Sequence, residues 1–291
     1  MLNILVTGSN GQLGNEIRAL GAASPNRYIF TDVAELNIAD ADAVNEFVSK
    51  ENVDVIINCV AYTDVEKAEE NESAAHSINC DAVKNLAVAA AAAGAVLIHV
   101  STDYVFDGKS HKPYTEDDAT APLGVYGRTK RDGEIAVEEA GCHYLIFRTA
   151  WLYSEYGRNF VKTMMKLTAE RESLSVVFDQ TGTPTYAGDL AKTIFDIVEG
   201  RKYEGKDGIY HFSDEGVCSW YDFTCEIAAE AGNTGCRILP CRTWEYPTKA
   251  VRPSYSVLDK GKVKRTFGTE IPHWRESMKK CIAKIKQNET L

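Results

Sequence analysis

Three glycines after the first apolar run, Gly8, Gly11 and Gly14, constrain the fold more than any other feature of this chain. Residues 2–7 have strand propensity, and residues 15–20 begin a helix-compatible segment. Strand, glycine turn and helix in that order are the context a dinucleotide-binding fingerprint requires. In this reading Gly8 makes the tight turn, Gly11 lets the backbone approach a pyrophosphate, and Gly14 lets helix and strand pack closely. The helix N-terminus favours the pyrophosphate charge. Asp32 follows a second apolar stretch at 28–30, eighteen residues past Gly14, where a carboxylate suits the adenosine ribose. The alternative is a glycine turn that holds no ligand.

The rest of the first half repeats this rhythm. Strand-like runs fall at 2–7, 27–31, 54–60, 95–100 and 143–148, with helical patterns at 12–22, 41–50, 72–93 and 126–140. Such alternation predicts an α/β fold with a doubly wound parallel sheet, the Rossmann arrangement. The alanine-rich face at 81–93 suits close helix-on-sheet packing. Beyond Trp151 the rhythm changes. Helices are expected at 158–170, 188–199, 220–231 and 274–287, and strands at 174–178 and 208–212. Loops carry Pro184, Pro240, Pro247, Pro253 and Pro272. Residues 1–150 are expected to form the dinucleotide-binding domain and 151–291 mainly a smaller substrate lobe. No linker separates them, which leaves the chain free to cross back.

A net charge of −10 with no block of like charges argues against nucleic acid or an anionic membrane as partner. The longest apolar stretch, 86–100, is too short and weak to span a bilayer. The first strand begins at Leu2, so no signal peptide is expected. The eight cysteines form no CxxC pair, and His and Cys do not cluster at ligand spacing. Reduced thiols, a cytoplasmic protein and no metal site are the expectation. A homodimer is compatible with the sequence, which does not fix the oligomeric state.

The fourth strand ends in Ser101, Thr102 and Asp103. In an open parallel sheet the ligand crevice lies beyond the C-terminal strand ends. Tyr126 and Lys130 follow, four residues apart and so on one helix face. Reducing a carbonyl needs a hydride at carbon and a proton at oxygen. A phenol, with an ordinary pKa near 10, is a poor acid–base group at neutral pH unless perturbed. A neighbouring ammonium stabilises the phenolate, a role for Lys130, which also suits nicotinamide ribose hydroxyls. Thr102 is placed to hydrogen-bond the carbonyl oxygen. With 14 tyrosines a YxxxK arises by chance, so the spacing alone carries little. Its position after the fourth strand of a nucleotide fold carries the argument.

The spacing GxxGxxG is similar to that of extended short-chain dehydrogenases/reductases. Together with Thr102, Tyr126 and Lys130, and with VSTDYVFDG at 100–108, RTAWLY at 148–153, DQTGTPT at 179–185 and RPSYS at 252–256, the chain resembles the dTDP-4-dehydrorhamnose reductase family along nearly its whole length. That family reduces the 4-keto group of dTDP-4-dehydro-L-rhamnose with NADPH or NADH, giving dTDP-L-rhamnose. The resemblance implies that Gly11, Gln12 and Leu13 line the pyrophosphate, Asp32 the adenosine ribose, and Asn37 and Ile38 the adenine. It sets Ala61, Tyr62 and Thr63 along the cofactor, with Asn79 a further candidate. Thr102, Tyr126 and Lys130 would be catalytic. Asp103, Tyr104, Trp151 and Asn159 would face the sugar or its phosphates, and Gln180 and Arg252 would complete the pocket. Two positions depart from the family pattern: Asn37 stands where Asp is common, and Tyr255 where Asn is common. Glu16 matches a glutamate that bridges magnesium in some members, but Asp189 stands where a second is expected, so no such site is predicted.

Two other readings share the fold. A nucleotide-sugar epimerase or dehydratase would use the same Tyr–Lys pair, although a dehydratase usually needs a second acid after Asp103, where Tyr104 stands. A non-catalytic regulatory subunit would keep the fold without turnover.

Overall fold

The computed structural model describes residues 1–289. Strands β1 (Asn3–Thr7), β2 (Arg27–Thr31), β3 (Val55–Asn58), β4 (Val96–Thr102) and β5 (His143–Thr149) alternate with helices α1 (Gln12–Gly21), α2 (Ala41–Lys50), α3 (Val65–Glu70), α4 (Glu72–His76), α5 (Ala82–Ala93) and α6 (Val125–Glu139). The second half runs through β6 (Leu152–Tyr153), α7 (Phe160–Glu170), β7 (Ser173–Val177), β8 (Thr181–Gly182), β9 (Thr185–Tyr186), α8 (Ala187–Glu199), β10 (Gly208–His211), β11 (Cys218–Ser219), α9 (Trp220–Ala231), β12 (Arg237–Cys241), α10 (Gly261–Phe267) and α11 (Trp274–Glu289).

Six strands form one parallel sheet in the order β10-β5-β4-β3-β1-β2. β1 pairs with β2 on one side and β3 on the other, so the strand order reverses there. Ligands bind at such a switch point in this class of sheet. Both faces of the sheet are covered, which is why its strands read as unbroken apolar runs. Ile4, Val6, Ile57, Ile98 and Phe147 pack on one side with Ile17 of α1 and Leu190 and Ile194 of α8. Leu5, Ile56, Leu97 and Ile146 pack on the other with Val44 of α2 and Val83 and Leu86 of α5. Each such buried side chain contributes roughly 1.5–3 kcal/mol. A further core joins α7, α9 and α11 through Val161, Phe223, Ile227, Trp274 and Met278. No helix among the described residues is long and apolar enough to cross a membrane.

Three elements differ from the sequence reading. The helix expected at 72–93 runs without a gap but widens into a π-helical turn at Ser77–Asp81 between α4 and α5. Within that turn Asn79 points wholly inward and hydrogen-bonds partners off the helix. Pro240, expected in a loop, lies in β12, which pairs only with β7. An edge position tolerates the missing N–H. The strand at 208–211, grouped by sequence with the second half, is the sixth strand of the main sheet, beside β5. The chain thus crosses back after Tyr186, with α8 packed on α1.

Candidate active site

The glycine turn is shaped by contacts that exclude side chains. Gly8 has φ +67°, and a Cβ there would lie 2.9 Å from the Val60 nitrogen. A Cβ on Gly14 would lie 2.5 Å from the Gly8 carbonyl oxygen. Gly11 caps α1 without a side chain, and the first turn has no acidic residue. Its N–H groups and partial positive charge are therefore free for an anion, as a pyrophosphate requires. Gln12 opens the helix, while Leu13 is buried in the core and offers only backbone. The residues present fit a dinucleotide.

Asp32 follows β2 and lies beside the turn: its Oδ2 accepts from the Asn10 N–H at 3.2 Å and its Oδ1 from the Val33 N–H at 2.8 Å. Asn37 is exposed, but the Ile38 side chain packs into the core against α2 and α5. Only the backbone of residue 38 can meet an adenine. Ala61, Tyr62 and Thr63 follow β3 on the same side of the sheet. Asn79 clamps this segment. Its Oδ1 accepts from the Tyr62 N–H at 2.8 Å, and its Nδ2 donates to the Tyr62 carbonyl at 3.2 Å and to Thr129 Oγ1 at 3.1 Å. Its amide is fully used in holding Tyr62 and Thr129.

Beyond β4, Thr102 Oγ1 donates to Asp103 Oδ1 at 3.0 Å and accepts from the Tyr104 N–H at 3.2 Å. Asp103 is buried, and its Oδ2 has no hydrogen-bond partner. Burial pushes its carboxyl up to about 6. Tyr126 meets Tyr104 edge to face at 5.4 Å. Burial raises the Tyr126 phenol to about 12; the Thr102 hydroxyl eases it down and the Asp103 charge pushes it up. The sequence reading expects Lys130 to lower this phenol. Instead the Lys130 amine donates to the Val100 carbonyl at 2.7 Å and lies 3.3 Å from His99 Nε2. Burial holds Lys130 itself down to about 8.

The remaining candidates have different commitments. Trp151 takes a left-handed φ of 47° and stacks on Trp220 at 3.5 Å, and it also borders the cluster of Val105, Phe106 and Leu258. A non-glycine residue held there costs on the order of 1–3 kcal/mol, and such strain concentrates at functional sites. Asn159 caps α7, accepting from the Lys162 N–H at 3.1 Å. Its Nδ2 donates to Gln12 Oε1 at 2.9 Å and the Ser154 carbonyl at 2.7 Å, so it joins the lobes rather than standing open to a sugar. Gln180 is buried and donates to Thr243 Oγ1 at 3.1 Å. Arg252 pairs with Glu66 at 2.6 Å, leaving its Nη1 without a partner. Tyr255 tilts against Tyr114.

Sequence reasoning missed His99, Asn58 and Glu66. Each is a polar residue whose importance lies in which long-range partner it meets, and no spacing announces that. It also expected no clustering of His and Cys. The π-helical turn brings ligand atoms of His76, Cys80 and Asp81 within 4.8 Å of one another.

Residues 2–287 match the family described as RmlD substrate binding domain. A dTDP-4-dehydrorhamnose reductase from Aggregatibacter actinomycetemcomitans is 40% identical over 97% of this chain and 99% of its own length. A solved dTDP-4-dehydrorhamnose reductase from Clostridium acetobutylicum superposes with a TM-score of 0.94 at 43% identity, covering 98% of this chain and 100% of that one. Another, from Bacillus anthracis in complex with NADP, gives 0.91 at 36% identity, again covering 98% and 100%. Similarity of this extent reaches well past the nucleotide fold into the second lobe, and the chain belongs to the dTDP-4-dehydrorhamnose reductase family.

Proposed function

We propose that this chain reduces the 4-keto group of dTDP-4-dehydro-L-rhamnose to give dTDP-L-rhamnose, with NADPH or NADH as reductant and Tyr126 as proton donor. When bound, the reduced nicotinamide supplies the hydride. The residues do the rest. The glycine turn and the α1 N-terminus hold the pyrophosphate, and Asp32 takes the adenosine ribose. Thr102 orients the keto oxygen, and Tyr126 delivers a proton to it. Lys130 serves the nicotinamide ribose. Asp103, Tyr104, Trp151, Gln180 and Arg252 border the sugar and its phosphates. Eight free thiols suit action in the cytoplasm.

The observation that carries this reading is geometric: the Tyr126 phenol lies beside the Thr102 hydroxyl at the C-terminal end of β4, where the crevice of an open parallel sheet receives its ligand. Purified enzyme should oxidise NAD(P)H with dTDP-4-dehydro-L-rhamnose far faster than with UDP- or GDP-keto-sugars. Tyr126→Phe should keep cofactor affinity and lose roughly 10²–10⁴-fold in turnover. Near-normal turnover in that variant would refute the assignment, and no turnover in the wild type would favour a regulatory subunit.

A further inference from the structure

A line of hydrogen bonds runs beneath the site from the first strand to Lys130. Thr7 Oγ1 donates to Asn58 Oδ1 at 2.9 Å, and the Val60 N–H donates to the same oxygen at 3.0 Å. Two donors on that oxygen fix the amide, so its nitrogen faces His99 Nδ1 at 3.1 Å. Nδ1 must then accept, and the neutral imidazole carries its proton on Nε2. That N–H points at Lys130 Nζ, 3.3 Å away. Thr7, Asn58, His99 and Lys130 are all buried.

An ammonium offers three donors and no acceptor. Set against Nε2–H, it meets donor with donor. A neutral amine accepts from Nε2–H and still donates to the Val100 carbonyl. The line therefore runs one way, and a neutral amine matches its end. The charges acting on Lys130 do not reverse this. Glu134, one turn along α6, favours the ammonium, but its carboxylate is bound by Arg148 from β5 and by Arg131. Burial outweighs it. His99, on β4, is held far below its usual value chiefly by burial.

We infer that His99 is a positioning residue for the reduction: oriented by Thr7 and Asn58, it pins the Lys130 amine at Val100 and favours its neutral form in the cofactor-free enzyme. This rests on the catalytic assignment of Lys130. The alkaline limb of kcat/KM, which reports the free enzyme, should then be set by the donor line.

Nitrogen-15 spectra of the cofactor-free wild type should show His99 as the Nε2–H tautomer. An Nδ1–H tautomer or an imidazolium at neutral pH would overturn the inference, whatever any variant does. Asn58→Asp turns the line round: the new carboxylate accepts from Nδ1–H, and Nε2 then accepts from an ammonium. The alkaline limb should move up by roughly one pH unit, a tenfold gain in proton affinity. The variant's spectrum should show Nδ1–H; retention of Nε2–H, or an unmoved limb in a folded variant, would overturn the proposal. Lys130→Met separates the two levels. Full turnover in it would refute the catalytic assignment, whereas lost turnover with an unmoved limb in Asn58→Asp would refute only the role of His99.

Discussion

Tyr126 and Asp103 lie close enough that the carboxylate alters the proton affinity of the phenol. Burial raises both, Asp103 to about 6 and Tyr126 to about 12. The consequence has a definite sign. Below pH 6 Asp103 is protonated and its push on the phenol is gone. As pH rises through 6 the carboxylate forms, accepts the Thr102 hydroxyl and makes the Tyr126 phenol, protonated on both sides of pH 6, a weaker acid. Activity should therefore fall through an inflection near pH 6. Asp103→Asn keeps the size and the acceptor for Thr102 but cannot ionise, so that inflection should vanish from kcat/KM measured against pH. A variant with the same inflection would assign it to another group. At this scale the sequence was a partial guide. The spacing of Tyr126 and Lys130 was legible, because four residues make one helical face. The direction in which Lys130 points was not, because it depends on His99 and the Val100 carbonyl, which only the folded sheet brings near.

Single elements decide which cofactor the cleft prefers. The end of β2 brings Asp32 beside the N–H of Asn10 in the glycine turn. A carboxylate there accepts from a ribose 2′-hydroxyl and repels a 2′-phosphate. Asp32→Ala should lower kcat/KM with NADH and spare or improve it with NADPH, moving the ratio toward NADPH. Measuring both coenzymes on both proteins decides the point: a parallel loss would mean that Asp32 only steadies the turn. The first five strands and α1 could be read from the sequence because apolar runs and glycines obey local rules. The π-helical turn at Ser77–Asp81 could not. It carries a long-range clamp from Asn79 to Tyr62 and Thr129, and the local sequence alone reads as continuous helix. Such π-turns recur at functional sites, and this one carries the side chain that fixes Tyr62.

Across the whole molecule, the second half of the chain serves both lobes, as β10 joining the main sheet makes plain. A strand of four residues between two helices gives no local sign of which sheet it will enter. The lobes are also tied by charge. Glu16 of α1 is buried near Glu155, and Lys284 of α11 lies 2.8 Å from Glu155 and 3.8 Å from Glu16. Tyr186 completes the group, donating to Glu155 at 2.9 Å. Burial first, and then the Glu155 carboxylate, push Glu16 from 4.5 up to about 8, while Glu155 is held low. An acid whose folded pKa is raised binds its proton more tightly in the folded state. Its effect on stability is therefore zero below about 4.5, becomes a growing penalty as pH rises toward 8, and is constant above that. Glu155 acts in the opposite sense and only below its ordinary range, so it leaves this window to Glu16. Glu16→Gln keeps the shape and cannot ionise. Relative to the wild type, its Tm should gain steadily from pH 5 to pH 8, with the largest gain at the alkaline end. Thermal unfolding of both proteins across that range tests it, and a difference in Tm that stays constant with pH would mean that Glu16 does not carry the buried proton.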